Sequence, residues 1–118
     1  MTGTVAALVA DLMFLSRIRE AARASGLEVR AVRAGPDLAQ AVRGATLAVV
    51  DLDDPRLGIQ AVATLRGNEE TAAIPIVGFF SHVHAARGRD ARQAGCTQAL
   101  PRSAFIEQLP AILGEASR

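Results

Sequence analysis

The stretch LAVVDLDDP, Leu47 to Pro55, decides how the rest of the chain is read. Leu47, Ala48, Val49 and Val50 form an apolar run with no polar alternation, too short for a helix, and it stops at Asp51, Asp53, Asp54 and Pro55. A continuous apolar run bounded by turn residues is the mark of a strand covered on both faces, with its last residues meeting water. Asp51 is then either a reactive carboxylate displayed at a strand end or the polar punctuation that a buried strand needs where it surfaces.

Working outward, comparable runs recur at Thr4 to Ala10 (TVAALVA), Leu27 to Val32 (LEVRAV) and Ile74 to Phe80 (IPIVGFF), with a weaker one at Thr97 to Leu100 (TQAL); the run around Asp51 starts at Ala45. Amphipathic stretches lie between them. LMFLSRIREAARAS puts Leu15, Ile18 and Ala22 on one helix face, with Asp11 as N-cap and Gly26 as stop. Pro36 and Asp37 open a second helix with Leu38, Ala41 and Val42 inward, and a third runs from about Gly58 through Ile59, Val62 and Leu65 to Gly67. A fourth is expected from about Val83 to Ala94 with Gly88 inside it. In the fifth, Ser103 is the expected N-cap, Phe105, Ile106, Leu109, Ile112 and Leu113 point inward, and Pro110 bends the helix or marks a restart.

Strand and helix thus alternate five times, which predicts a single α/β domain over residues 1–118: a parallel sheet covered by helices on both faces, with no output domain. The second strand, carrying Glu28, Arg30 and Arg33, reads as an edge. In such sheets ligands and chemistry lie beyond the carboxyl ends of the strands. That topology brings Asp11, Asp51, Asp53, Asp54, Ser81, His82 and Arg102 to one edge.

Composition narrows the chemistry. A formal charge of +1 over 118 residues offers no field for nucleic acid or an anionic membrane. All thirteen basic residues are Arg, which excludes Schiff-base and lysine-clamp chemistry from this chain alone. The lone Cys96 excludes an internal disulfide and a cysteine-cluster metal site, and is expected to be a small buried apolar group. The N-terminal segment is too short in apolar length for a membrane span and lacks the basic start of a signal peptide, so a cytoplasmic location is expected. No glycine-rich phosphate loop or nucleophile elbow is present, and no enzyme activity is expected.

Asp51 followed four residues later by Pro55, with Gly58 beyond, resembles the receiver domain of two-component response regulators, as does AGCTQALPRSAFIEQL (Ala94 to Leu109). The resemblance covers essentially the whole chain. It implies a flavodoxin-like (βα)5 doubly wound sandwich of strand order 2-1-3-4-5, with Asp51 as phosphoacceptor and Arg102 where such domains carry a lysine. It also implies a pocket of Asp11, Asp53, Ser81 and Arg102, and a Mg2+ ion on Asp51, Asp53 and Asp11.

Departures from the pattern are specific. Val9 and Ala10 fall where the paired metal-binding acids are expected, leaving only Asp11 nearby. The hydroxyl switch position, counted from Pro75, falls on Phe80, with Ser81 one step late; strict alternation would aim Ser81 away from Asp51. Arg102 is a planar fork rather than a compact ammonium, able to clamp phosphate or to pair permanently with Asp51 or Asp53. The chain therefore reads as an atypical receiver-like domain acting in signalling by protein contact, its partner a sensor kinase or a downstream signalling protein.

Homodimerisation is expected to use the fourth helix, fifth strand and fifth helix, marked by uncovered apolar residues on the fifth helix. Two readings stand beside it: a single-domain regulator phosphorylated on Asp51, and a flavodoxin-like binder of a small anion held by Arg102. His82 and His84 in SHVH could reach one ion with Asp51, but no third ligand has a fixed spacing. They are read as helix-start or solvent-facing residues. Arg87, Arg89 and Arg92 are read as a solvated helix face.

Overall fold

A computed structural model describes residues 3–32, 38–55 and 58–118. The expected helix opening at Pro36 and Asp37, and Arg33 of the expected edge strand, lie outside those residues. Strand and helix alternate as read from the sequence: β1 (Thr4–Leu8), α1 (Leu12–Ala24), β2 (Glu28–Ala31), α2 (Leu38–Val42), β3 (Leu47–Asp51), α3 (Gly58–Arg66), β4 (Ile76–Phe80), α4 (Ala85–Ala94), β5 (Gln98–Pro101) and α5 (Arg102–Ala116). A 3-10 turn, His82–His84, joins β4 to α4.

The five strands form one parallel sheet of order β2-β1-β3-β4-β5, the doubly wound arrangement. β3 and β4 are buried along their whole length, as continuous apolar runs require, whereas β2 is an edge with Glu28 and Arg30 exposed.

Period-two alternation sorts the side chains into two cores. Ala6, Leu8, Ala48, Val50, Ile76 and Phe80 face α2, α3 and α4, packing on Val42, Val62, Leu65 and Ala91. Val5, Ala7, Val49, Val77 and Phe79 face α1 and α5, packing on Ile18, Ala22, Phe105, Leu109 and Leu113. Gly88 is the reason α4 can sit close to the sheet, because a Cβ there would lie 2.6 Å from the Phe80 ring.

Arg66 at the end of α3 ties the opposite, amino-terminal side of the sheet together. It donates to the carbonyls of Gly95, Ala72 and Ile74 and to the Thr97 hydroxyl. Gly95 ends α4 with φ 118°, a conformation that suits glycine, and a side chain there would also strike Arg66.

Two helix-boundary expectations need correction. α5 begins at Arg102, with Pro101 as its N-cap and no side-chain cap from Ser103. Pro101 fixes its own φ at −55°, and β5 passes into the helix without a loop, so Ser103 already lies inside the first turn. Of the two alternatives for Pro110, a restart is not found, since α5 runs from Arg102 to Ala116 across it.

Candidate functional site

Asp51 is the last residue of β3 and pairs in register with Phe79. Its side chain is 8 % exposed, and one oxygen accepts the backbone N–H of Asp53 at 3.0 Å. Parallel pairing places Asp51 between the ends of β1 and β4, where the connections to α1 and α4 begin. Asp11 caps α1 as expected: its Oδ1 accepts the N–H groups of Met13 at 2.9 Å and Phe14 at 3.2 Å.

Arg102, the first residue of α5, reaches into the middle of these carboxylates. Its Nη2 lies 3.4 Å from both oxygens of Asp51, Nη1 lies 3.5 Å from Asp11 Oδ2, and Nε lies 3.5 Å from Asp53 Oδ2. One planar cation thus faces three carboxylates through its three nitrogens. The guanidinium carbon also sits 4.7 Å from the Phe14 ring centre and 5.2 Å from that of Phe79. Those rings stack on each other at 4.8 Å, and Phe105 stacks beyond Phe79 at 4.8 Å. A cation over aromatic faces gains an attraction that water would otherwise weaken.

Asp53 is the second hub. Its Oδ2 accepts the Ser81 N–H at 2.7 Å, and its Oδ1 accepts Arg87 Nη1 at 2.7 Å with His84 Nδ1 at 3.4 Å. Burial pushes the Asp53 carboxyl up, but the Ser81 N–H and the Arg87 guanidinium, helped by Arg102, outweigh it and hold the group below the usual carboxylate range. Asp51 goes the other way. Burial pushes it above that range; the Asp53 N–H and Arg102 pull down without compensating, and the charges of Asp53 and Asp54 add to the rise.

The structure therefore brings Asp11, Asp51, Asp53, Ser81 and Arg102 together, as the topology predicted. Three details differ from the sequence reading. Ser81 enters through its backbone N–H, not its hydroxyl. It is Phe80, at the expected switch position, that turns to the α2–α4 side, while Ser81 has the parity of Phe79, the partner of Asp51. The reading of Arg87, Arg89 and Arg92 as a solvated face holds for the exposed Arg89 and Arg92, the latter also donating to the Ala99 carbonyl at 3.3 Å, but Arg87 pairs with Asp53. No local pattern marks Arg87 or Phe14 as part of the cluster.

The donor set does not fit a magnesium ion. That ion needs near-octahedral oxygens at about 2.1 Å, whereas the three carboxylates are spread around a guanidinium that occupies their centre. Asp11 Oδ1 is engaged with the α1 amides, and both Asp53 oxygens have donors. Val9 is buried and apolar, and the Ala10 side chain has no ligand atom. Among the described residues no three His, Cys, Asp or Glu side chains form a metal-holding group. Cys96 is buried, with its thiol donating to the Gln98 carbonyl at 3.1 Å, and burial raises its pKa.

No protein-family profile matches the chain, and no curated protein matches it in sequence. Solved structures do match. A chemotaxis response regulator of Vibrio cholerae superposes with TM-score 0.81 at 18 % identity, over 98 % of this chain and 99 % of that one. A phosphorylated cyanobacterial phytochrome response regulator matches with TM-score 0.78 at 19 % identity, over 98 % and 91 %. An orphan response regulator of H. pylori matches with TM-score 0.75 at 13 % identity, over 98 % and 97 %. With the strand order 2-1-3-4-5 and Asp51 closing β3, this chain has the fold of the response-regulator receiver domain.

Proposed function

We propose that this chain is an atypical receiver-like signalling domain that acts through protein contact and does not take phosphate on Asp51 in the usual way. The observation that carries the reading is the Arg102 guanidinium, 3.4 Å from both oxygens of Asp51 and held over Phe14. An aspartate that attacks a phosphoryl group needs an available oxygen and a compact cationic charge to neutralise the incoming oxygens. Here the cation is a broad fork already shared among three carboxylates. A phosphoryl group would add further negative charge to Asp11, Asp51 and Asp53, whose guanidinium partners among the described residues are Arg102 and Arg87. The same pairing disfavours a small-anion ligand, which would have to displace a carboxylate from each nitrogen it used.

The domain would present its state to a sensor kinase or a downstream protein rather than catalyse a reaction. No described helix is long and apolar enough to cross a membrane. α4, β5 and α5 remain the proposed contact face, with β5 an edge strand of the sheet. The apolar signal sought on α5 is not found there: among the described residues the exposed large apolar side chains are Leu12, Met13 and Val83, next in sequence to Asp11 and Ser81.

Intact-mass measurement after incubation with acetyl phosphate and Mg2+ tests the reading. No mass gain is expected, and magnesium should leave the melting temperature unchanged. A gain of one phosphoryl mass that disappears in Asp51→Asn would establish the phosphorylatable alternative instead.

A further inference from the structure

α4 is weakly anchored by apolar contacts: only Gly88 and Ala91 of its ten residues are buried, and Gly88 contributes no side chain. The helix nevertheless sits in a defined place, and the polar contacts at its start explain how. Asp53, on the β3–α3 connection, accepts the Ser81 N–H at the end of β4, pairs with Arg87 in the first turn of α4, and lies beside His84 in the intervening 3-10 turn. Asp53 is 14 % exposed, so its carboxylate is largely shielded from water, while Arg87 is 39 % exposed and reachable from outside. Its remaining neighbour, Arg102, connects it to Asp51, Asp11 and α5.

We infer that Asp53 is an internal latch: its carboxylate holds the β4–α4 connection and the first half of α4 against the sheet, and loss of the Asp53–Arg87 contact releases that segment while the sheet stays folded. The latch is a property of Asp53 whether or not Asp51 takes phosphate, so it stands apart from the functional reading above. Its chemistry is displacement by competition. A cationic side chain that engages Asp53 Oδ1 from outside would replace Arg87 and free the helix start, because it would compete for the oxygen that accepts Arg87 now. The C-terminal half of α4 is tied separately, through the Arg66 bond to the Gly95 carbonyl and the Arg92 bond to the Ala99 carbonyl. Release should therefore stop near the middle of the helix.

Hydrogen exchange followed by mass spectrometry on the full chain tests this. Asp53→Asn and, separately, Arg87→Met are expected to speed exchange of the amides from Ser81 through the first half of α4 by about tenfold or more, as loss of charge-assisted hydrogen bonds implies. β1, β3 and α1 should exchange at the unmodified rate. Arg89→Met, an exposed neighbour, serves as control and should change nothing. Unchanged exchange in the β4–α4 segment of both variants overturns the latch. So does an equal acceleration across every segment in Arg87→Met, since that variant leaves the buried carboxylates intact and would then report only global destabilisation. The acetyl phosphate experiment is blind to these outcomes.

Discussion

Replacing Arg102 by Met keeps most of the stem that lies over Phe14 and removes the charge, which isolates the ionic part of the cluster. Breaking a buried ion pair by removing one partner costs about 3–5 kcal/mol. The guanidinium is 29 % exposed and its contacts to Asp51 are 3.4 Å, longer than a strong charge-assisted bond, so the ionic loss should fall to about 1.5–3 kcal/mol. The lost cation–aromatic contact adds about 0.5–1 kcal/mol. For a chain of this length, about 2–4 kcal/mol corresponds to a fall in melting temperature of roughly 8–15 °C.

The decisive measurement is a double-mutant cycle in urea at neutral pH. Asp51→Asn alone should stabilise slightly, because it removes a carboxylate that burial disfavours. In the Arg102→Met background the same change should be more favourable by about 1–2 kcal/mol, since the carboxylate there has lost its cation. An Asp51→Asn effect identical in both backgrounds would show that the two side chains do not interact, and the argument for a pre-engaged Asp51 would fail.

Other consequences follow from the same contacts. Asp53 sits below the ordinary carboxylate pKa of 3.8, so its contribution is fully present above that value and is lost as pH falls further, through its folded pKa. Asp51 sits above 3.8, so its charge is a penalty at neutral pH that is relieved as pH falls through its folded pKa toward 3.8. Denaturant midpoints across pH should therefore lose their early rise in Asp51→Asn and weaken their later fall in Asp53→Asn. Gly88→Ala should cost about 1–3 kcal/mol despite the better helix propensity of Ala, through overlap with the Phe80 ring, and Phe80→Leu in the same chain should recover part of it. Arg66→Met should cost about 1–3 kcal/mol by orphaning the Gly95, Ala72 and Ile74 carbonyls, read as a lower urea midpoint with an unchanged slope. Cys96, buried and with its thiol pKa raised, should react with a thiol reagent only as fast as the chain opens.

Features that depend on neighbours along the chain were readable in the sequence. Asp11 as the cap of α1, the buried apolar run of β3 ending at Asp51 and the β2 edge each follow from residues a few positions apart, and each is found. The convergence of Asp11, Asp51, Asp53 and Arg102 was readable because parallel topology alone sends strand ends to one edge. What was not readable depends on partners far apart in sequence. Arg87 meets Asp53 across 34 positions, and nothing in RGRDAR distinguishes Arg87 from Arg89, which remains exposed. Phe14, Phe79 and Phe105 come from α1, β4 and α5, and their common stack becomes visible only once alternation has put Phe79 on the α1–α5 side. The Ser103 cap failed for a local reason that Pro101 overrode: strand and helix abut, leaving no residue between them to act as a side-chain cap.

The departures from the receiver pattern make sense together rather than one by one. A guanidinium spreads one charge over a plane wide enough to face three carboxylates, which a compact ammonium could not do from the start of α5. Once Arg102 fills the centre of the cluster, further acids at positions 9 and 10 would add like charges with no cation to offset them, and Val9 instead joins the α1–α5 core. The aromatic ring of Phe14 completes the arrangement, with its centre 4.7 Å from the guanidinium carbon of the flat cation. Restoring any single feature should then do little: Arg102→Lys alone would leave the same three carboxylates around a cation that reaches fewer of them, and it should lower stability without enabling phosphate uptake. Phosphorylation of Asp51 in that single variant would show that Arg102 was the whole of the block, and that the missing acids are not required.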